Sequence, residues 1–394
     1  MLIVKEVYLC HRINHKTKKM KKNLRNILVL AMGLMTTVSF AQDWNADSRT
    51  RVDMSGAGDE MSTDQRATVG ATWGGSDWSI HGSTNVNYML GKTMNDAGDA
   101  YVMNKATIGV YEAYASTDLM GYASLTVGRQ ALDYGSGAIL SSNQFGTRTT
   151  QDGMLFGLDL DMADITLGYA NVNFGFGDEF ETKGTNMILN ASKAEGDWSA
   201  NLLYGTQTMT IADVDGDATT YMGLDLSYAM MGGDLSLNVS YNTVTGAINS
   251  LDGTIMDDMD MNSIGATYNV NESMSIHASQ TTYGEGGFNL LGGNTGAYGT
   301  DSWTTNGNMG HLGADQKDLA IGGAYAMGDF NLSATMHTVT SDAVGAEDYE
   351  RAAMELSLGY TMSANAGLSV NYSTDNNGGE VDTKYTWLTL TVRP

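Results

Sequence analysis

The sequence predicts an all-β protein, a transmembrane antiparallel up-and-down β-barrel of about eighteen strands, with about sixteen as the alternative count. Three observations predict it. Apolar residues alternate with small polar ones at period two through most of the chain. The single proline is the last residue, Pro394. The connections between the alternating segments run short and long in turn.

The alternation comes first. Trp198, Ala200, Leu202 and Tyr204 share one parity, and Ser199, Asn201 and Leu203 share the other. Leu235, Leu237, Val239 and Tyr241 alternate with Ser236, Asn238 and Ser240. Ile165-Leu167-Tyr169, Leu224-Leu226-Tyr228, Phe330-Leu332-Ala334-Met336 and Leu368-Val370-Tyr372 repeat the pattern. Segments of roughly ten residues cross a bilayer when tilted, and Tyr or Trp near their ends suits an interfacial girdle. The polar face is Ser, Asn, Thr, Gly and His, as the inside of a watery barrel requires, so the apolar face points to lipid. Proline donates no ladder hydrogen bond, which explains its exclusion from such a sheet.

Short turns are expected near Gly75-Ser76, Asp161-Met162, Glu195-Gly196, Met231-Gly232, Asn271-Glu272, Met327-Gly328 and Ser363-Ala364. Long loops are expected near 92–102, 133–149, 208–217, 244–259 and 284–314. Bacterial barrels place short turns in the periplasm and long loops outside, so both termini are expected to be periplasmic. The last strand is irregular: Leu388, Leu390 and Val392 alternate, but Trp387 takes the opposite parity. The chain ends in Val392-Arg393-Pro394 rather than an aromatic residue.

The first 41 residues read as a leader. Lys21, Lys22 and Arg25 precede an apolar stretch from Ile27 to Val38, and Ser39-Phe40-Ala41 supplies small residues at −3 and −1. That order is a secretory signal, with cleavage expected between Ala41 and Gln42. Residues 42–394 then form the barrel. Removing the leader takes eight basic residues and one acid from totals of 21 and 45, leaving 13 basic against 44 acidic and a net charge of −31. Nucleic acid is excluded as a partner, because phosphate contacts need a basic footprint. The only cysteine, Cys10, lies in the leader, so no disulfide or thiol chemistry is expected.

The basic residues are uneven. None occurs between Lys193 and Lys317. Arg49, Arg51 and Asp53 share one parity, opposite Val52 and Met54, and should face the lumen; Arg66 should do the same. Fixed charge on a pore wall sets ion selectivity. The plainer alternative is that the arginines pair with Asp53, Glu112 and Asp152 and stiffen the wall.

At these residues the chain resembles the alginate-export-like outer-membrane porins of Bacteroidetes-type bacteria. Ser48-Arg49-Thr50-Arg51-Val52-Asp53, Asp64-Gln65-Arg66-Ala67-Thr68-Val69, Tyr111-Glu112-Ala113-Tyr114, Leu125-Thr126-Val127-Gly128-Arg129-Gln130 and Arg148 through Asp152-Gly153 carry the likeness. It covers roughly residues 47–175. It implies an eighteen-stranded barrel with an Arg-lined lumen passing an anionic polysaccharide or small anions. Two features depart from it. Few Lys or Arg follow residue 193, and strict alternation gives Arg129 the lipid-facing parity of Leu125 and Val127. A bulge at Gly128, or the strand ending there, would turn it inward. The expected pore-lining set is Arg49, Arg51, Asp53, Arg66, Glu112, Arg129, Arg148 and Asp152.

Asp213-Val214-Asp215-Gly216-Asp217 has the look of a calcium loop, but no Glu completes it at the usual distance. It and Asp257-Asp258-Met259-Asp260 read as solvated outer-loop acids. The loop 284–314, with Phe288, Tyr298 and Trp303, reads as a surface loop that could alternatively fold inward or stack on sugar. His81, His277 and His337 take lumen parity, and none sits in a nucleophile or metal motif, so neither an enzyme nor a cofactor is expected. The expected partners are outer-membrane lipid, lipopolysaccharide and small hydrophilic solutes, anions or saccharides among them. The oligomeric state is left open. A non-transport barrel with a filled lumen and a soluble β-sandwich are the competing readings.

Overall fold

The computed structural model describes residues 41–55, 61–90, 92–94, 101–103, 106–142, 150–176, 180–211, 214–215, 218–246, 257–288, 309–310, 312–343, 349–379 and 382–393. The leader, apart from Ala41, lies outside them. Eighteen long strands run through the described residues: β1 (Ala41–Asp53), β2 (Ser62–Gly74), β3 (Trp78–Leu90), β4 (Thr107–Asp118), β5 (Ser124–Gln130) and β6 (Gln151–Leu160). β7 (Ala163–Phe176), β8 (Phe180–Glu195), β9 (Trp198–Ile211), β10 (Thr219–Met230), β11 (Leu235–Thr245) and β12 (Met259–Asn271) follow. β13 (Met274–Tyr283), β14 (Gln316–Met327), β15 (Phe330–Ser341), β16 (Glu350–Ser363), β17 (Ala366–Asp375) and β18 (Thr383–Val392) complete the set.

Each strand pairs antiparallel with its sequence neighbours, and β1 pairs with β18 from Ser48↔Val392 to Asp53↔Trp387. The sheet is therefore closed, with no free edge to aggregate. Short turns join the strands at one end, such as Gly196-Asp197 between β8 and β9, and longer connections lie at the other. The start of β1 and the end of β18 both lie at the short-turn end. The expected strand count holds, and connections alternate short and long except between β7 and β8, where only three residues intervene.

Parity decides which face each side chain takes. Val69, Ile80, Met187, Tyr204, Leu226, Ile264, Leu332 and Met336 are exposed on the outer surface. Such residues form the lipid-facing belt of a barrel. Trp387 is buried, its ring stacked on Tyr385 at 5.6 Å. Its odd parity places it inside, against residues of the inner wall.

Register irregularities fall between Ser83 and Thr84, Asn269 and Asn271, and Thr361 and Ser363. The first bulges β4 at Tyr111, so that Val110 faces out while Glu112 and Tyr114 face in. Gly128 has φ +135°, and a methyl there would fall onto the carbonyl oxygen of Ala113. Only glycine fits without strain. Gly82, two strands away, has open space around its would-be Cβ. Gly128→Ala should therefore cost about 1–3 kcal/mol and lower the temperature at which the folded electrophoretic band converts to the unfolded one. Gly82→Ala should leave that temperature unchanged.

Candidate functional site

The inner wall of β1 and β2 carries the arginines. Asp64 accepts from Arg49 Nη2 at 3.0 Å and from Arg51 Nε at 2.8 Å, so one carboxylate holds two guanidinium groups. Arg66 is buried and directly opposite Arg49 in register. Like charges facing across a ladder repel, and Asp64, shared by Arg49 and Arg51, supplies countercharge on this face. Asp53, Glu112 and Asp152 were the partners expected if the arginines stiffen the wall; Asp64 takes that role for Arg49 and Arg51. Asp53 instead accepts the Ser55 N–H at 2.8 Å. Arg148 lies outside the described residues.

Arg129 and Asp152 are not on the pore wall. They pair through two bonds of 2.7 Å, and Arg129 Nη1 reaches the Val110 carbonyl oxygen. Arg129 stands opposite Ala113, on the side of Val110, Val127 and Met154, all exposed on the outer surface. Gly128 takes its special φ, but alternation is kept across it, and Gln130 is the residue that turns inward and is buried. The expected inward turn of Arg129 does not occur.

Glu112 does face the lumen, where its Oε1 accepts the Ala131 N–H at 3.2 Å. Its other oxygen lies 3.7 Å from His81 Nε2, and the His81 ring stacks on Tyr114 at 5.0 Å. Glu112 thus fixes the start of a segment, 131–142, that folds into the barrel. Asp133 closes this segment on itself, accepting from Ser141 Oγ, Ser142 N and Ser142 Oγ at 3.0, 2.7 and 2.8 Å. Ser136 N donates to Asp225 Oδ2 at 2.9 Å, which ties the tip to β10. Burial pushes the Tyr134 phenol up to about 12, so it stays protonated.

An apolar patch on the inner wall receives the segment. Leu132, Ala138, Ile139 and Leu140 pack with Ile188, Leu203, Tyr221, Val244 and Met261 in one buried cluster. Gly223 makes room: a methyl there would lie 3.2 Å from Ile139 Cδ1. Phe288, Met309 and Leu312, the described flanks of the loop 284–314, join the same cluster. These flanks are turned inward; Tyr298 and Trp303 lie outside the described residues. Tyr221 Oη donates to Asn186 at 2.6 Å, and Asn186 donates to Gln151 at 3.2 Å, completing the wall behind the cluster.

A second charged group lies on β14 to β17. His337 Nδ1 is 2.9 Å from Asp318 and its Nε2 is 3.3 Å from Glu355. Glu355 also accepts the Met309 N–H at 2.6 Å, and Arg351 makes a bidentate, fully buried pair with Asp375. Sequence analysis placed His337 in the lumen but missed its partners. The signal was present, since Arg351 and Glu355 share one parity on β16 and Asp375 shares that of Asn371 and Ser373 on β17. Among the described residues no group of three His, Cys, Asp or Glu side chains could hold a metal ion. Of the calcium-like loop, Asp213, Gly216 and Asp217 lie outside the described residues.

No family model matches the chain, and no curated protein matches it. Solved structures do. Pseudomonas aeruginosa OpdK, an outer-membrane protein solved with vanillate, superposes with a TM-score of 0.65 at 11% identity, covering 90% of this chain and 100% of that one. Pseudomonas aeruginosa OccK11 (OpdR) gives 0.62 at 13% identity over 89% and 95%. Acinetobacter baumannii OccAB1 gives 0.61 at 12% over 90% and 96%. The chain has their fold.

The folded-in segment should narrow the lumen. Replacing Ile139 and Leu140 together by Ser removes two buried side chains, worth about 3–6 kcal/mol of burial, and should loosen the segment. Single-channel recordings should then show a larger and noisier conductance than the unsubstituted protein.

Proposed function

We propose that the chain is an outer-membrane channel passing small hydrophilic solutes by diffusion, with no catalytic role. The observation that carries this is a closed eighteen-stranded wall, apolar outside and polar inside, with a segment folded into its lumen. Fold-mates that are outer-membrane proteins support it. On this reading the apolar belt meets lipid and lipopolysaccharide, residues 1–41 are the export leader, and long loops face outward.

Arg49, Arg51 and Arg66 give the lumen its positive wall, moderated by Asp64 and Asp53. Charges at a constriction are screened less than loop acids, which salt screens beyond about 8–10 Å. The channel is therefore proposed to favour small anions despite its net negative charge. A carboxylate solute such as the vanillate of the OpdK structure matches a guanidinium wall. An alginate-like polyanion, implied by the family resemblance, fits less well, because the arginines share Asp64 and the segment 131–142 occupies the lumen. The same segment favours one rival, a filled barrel that conducts nothing.

Planar-bilayer recording separates these readings. The purified protein should conduct, and Arg51→Ser with Arg66→Ser should move the reversal potential in a salt gradient toward cations. A silent barrel, or a wild type that selects cations and does not respond to the double substitution, contradicts the proposal. Topology is tested by tags: one in 290–310 should be labelled on intact cells, and one at Asn271-Glu272 should not. The reverse pattern would invert the barrel.

A further inference from the structure

Beneath the folded-in segment the lumen opens into a chamber of about 810 Å³, inside the range of small-molecule sites. Gly135 and Ser136 form its roof. Its wall is built from β7, through Asp164, to β13, a part of the chain that carries no arginine. Asn201, Asp225, Asn238, Ser240, Ser263 and Ser279 line it. The one lysine in the lining, Lys193, spends its ammonium group on the Asp161 carbonyl oxygen at 2.6 Å. This wall therefore differs in kind from that of β1 and β2.

We propose that this chamber is a binding subsite for neutral polyhydroxylated solutes of sugar type, separate from the arginine wall. The proposal rests on the channel reading and names a solute class for it. A hydroxyl both donates and accepts, so a wall of serines and amides can replace the water around a polyol group by group. Asp225 is occupied on both oxygens, by Ser136 N at 2.9 Å and Ser240 Oγ at 2.5 Å, so it serves as a fixed acceptor that orients the roof and the wall. Asn201 Oδ1, in the same lining, is buried and accepts no hydrogen bond from the described protein groups. Covered by Gly135, it has no surface open to the chamber and shapes the wall there rather than meeting a solute. The only fixed cation a small anion could meet in this lining is Lys193, which already stands 3.8 Å from Glu195. A polyol passing the arginine wall would have to compete there with the carboxylate of Asp64.

The test uses full-length protein in planar bilayers, with glucose as the probe read by its interruption of the ion current. Glucose should interrupt the wild-type current. Ser263→Val with Ser279→Val removes two hydroxyls, each worth about 1 kcal/mol, and should weaken the apparent glucose affinity by about 5- to 30-fold. Ser263→Thr with Ser279→Thr keeps the hydroxyls and should keep the affinity. Asn238→Leu, on β11, is the second variant should the valine pair fail to give a heat-modifiable folded band, and it should also weaken glucose. Arg51→Ser with Arg66→Ser should shift the reversal potential and leave glucose affinity where it was. A conducting wild type that ignores glucose, an undiminished affinity in the valine pair and in Asn238→Leu, or an affinity lost with the arginines overturns the subsite alone. Absence of any ion current overturns the channel reading itself.

Discussion

Apolar side chains on the inner face of a water-filled barrel must be covered. Ile188, Leu203, Tyr221, Val244 and Met261 point inward from consecutive stretches of wall, and none is left to water. Each fully buried side chain of this size is worth about 1.5–3 kcal/mol against exposure. That drive draws Leu132, Ile139 and Leu140 into the lumen, with Phe288, Met309 and Leu312 beside them. The shape of the lumen follows. The segment 131–142 borders a chamber of serines and amides through Gly135 and Ser136, and polar contacts fix its position. Glu112 holds its start, Asp133 its closure and Asp225 its tip.

The charged groups of the lumen are consistent with this arrangement. Asp64 between Arg49 and Arg51, and Asp375 against Arg351, keep each buried guanidinium paired, as a charge removed from bulk water requires. The His337 group is coupled to the covering chain more directly, because Glu355 faces both: its carboxylate lies 3.3 Å from the imidazole on the wall and accepts the Met309 N–H on the chain that enters the lumen. Wall and lumen contents are thus joined at two places six strands apart around the barrel, at Glu112 and at Glu355.

Much of this was legible in the sequence, and what was not has a physical cause. Strand number, turn alternation and the odd parity of Trp387 follow from a period of two, which is a local property. The side taken by Arg49, Arg51 and Arg66 follows from the same rule. Arg129 shows its strength: strict alternation placed it outward, and outward it is, whereas the appeal to a bulge at Gly128 misled. The true bulge lies at Tyr111, where no glycine marks it. Leu203 and Tyr221 stood on the polar parity in plain view, yet apolar residues there read as noise until something is known to cover them. That covering comes from a loop some sixty residues away and from another beyond Tyr283, which no local pattern reveals. Asp64 was missed as the arginines' partner for the same reason, since cross-strand pairing depends on register.

The claim that the segment 131–142 lies inside the barrel is tested most directly by cross-linking. Ser136 Oγ and Ser240 Oγ are 3.4 Å apart, and the barrel itself contains no cysteine. With both serines replaced by cysteine, a disulfide should form in the folded protein, seen as a reduction-sensitive change in electrophoretic mobility. A segment lying outside the barrel would leave both thiols free to react with a membrane-impermeant maleimide, and that result would contradict the account.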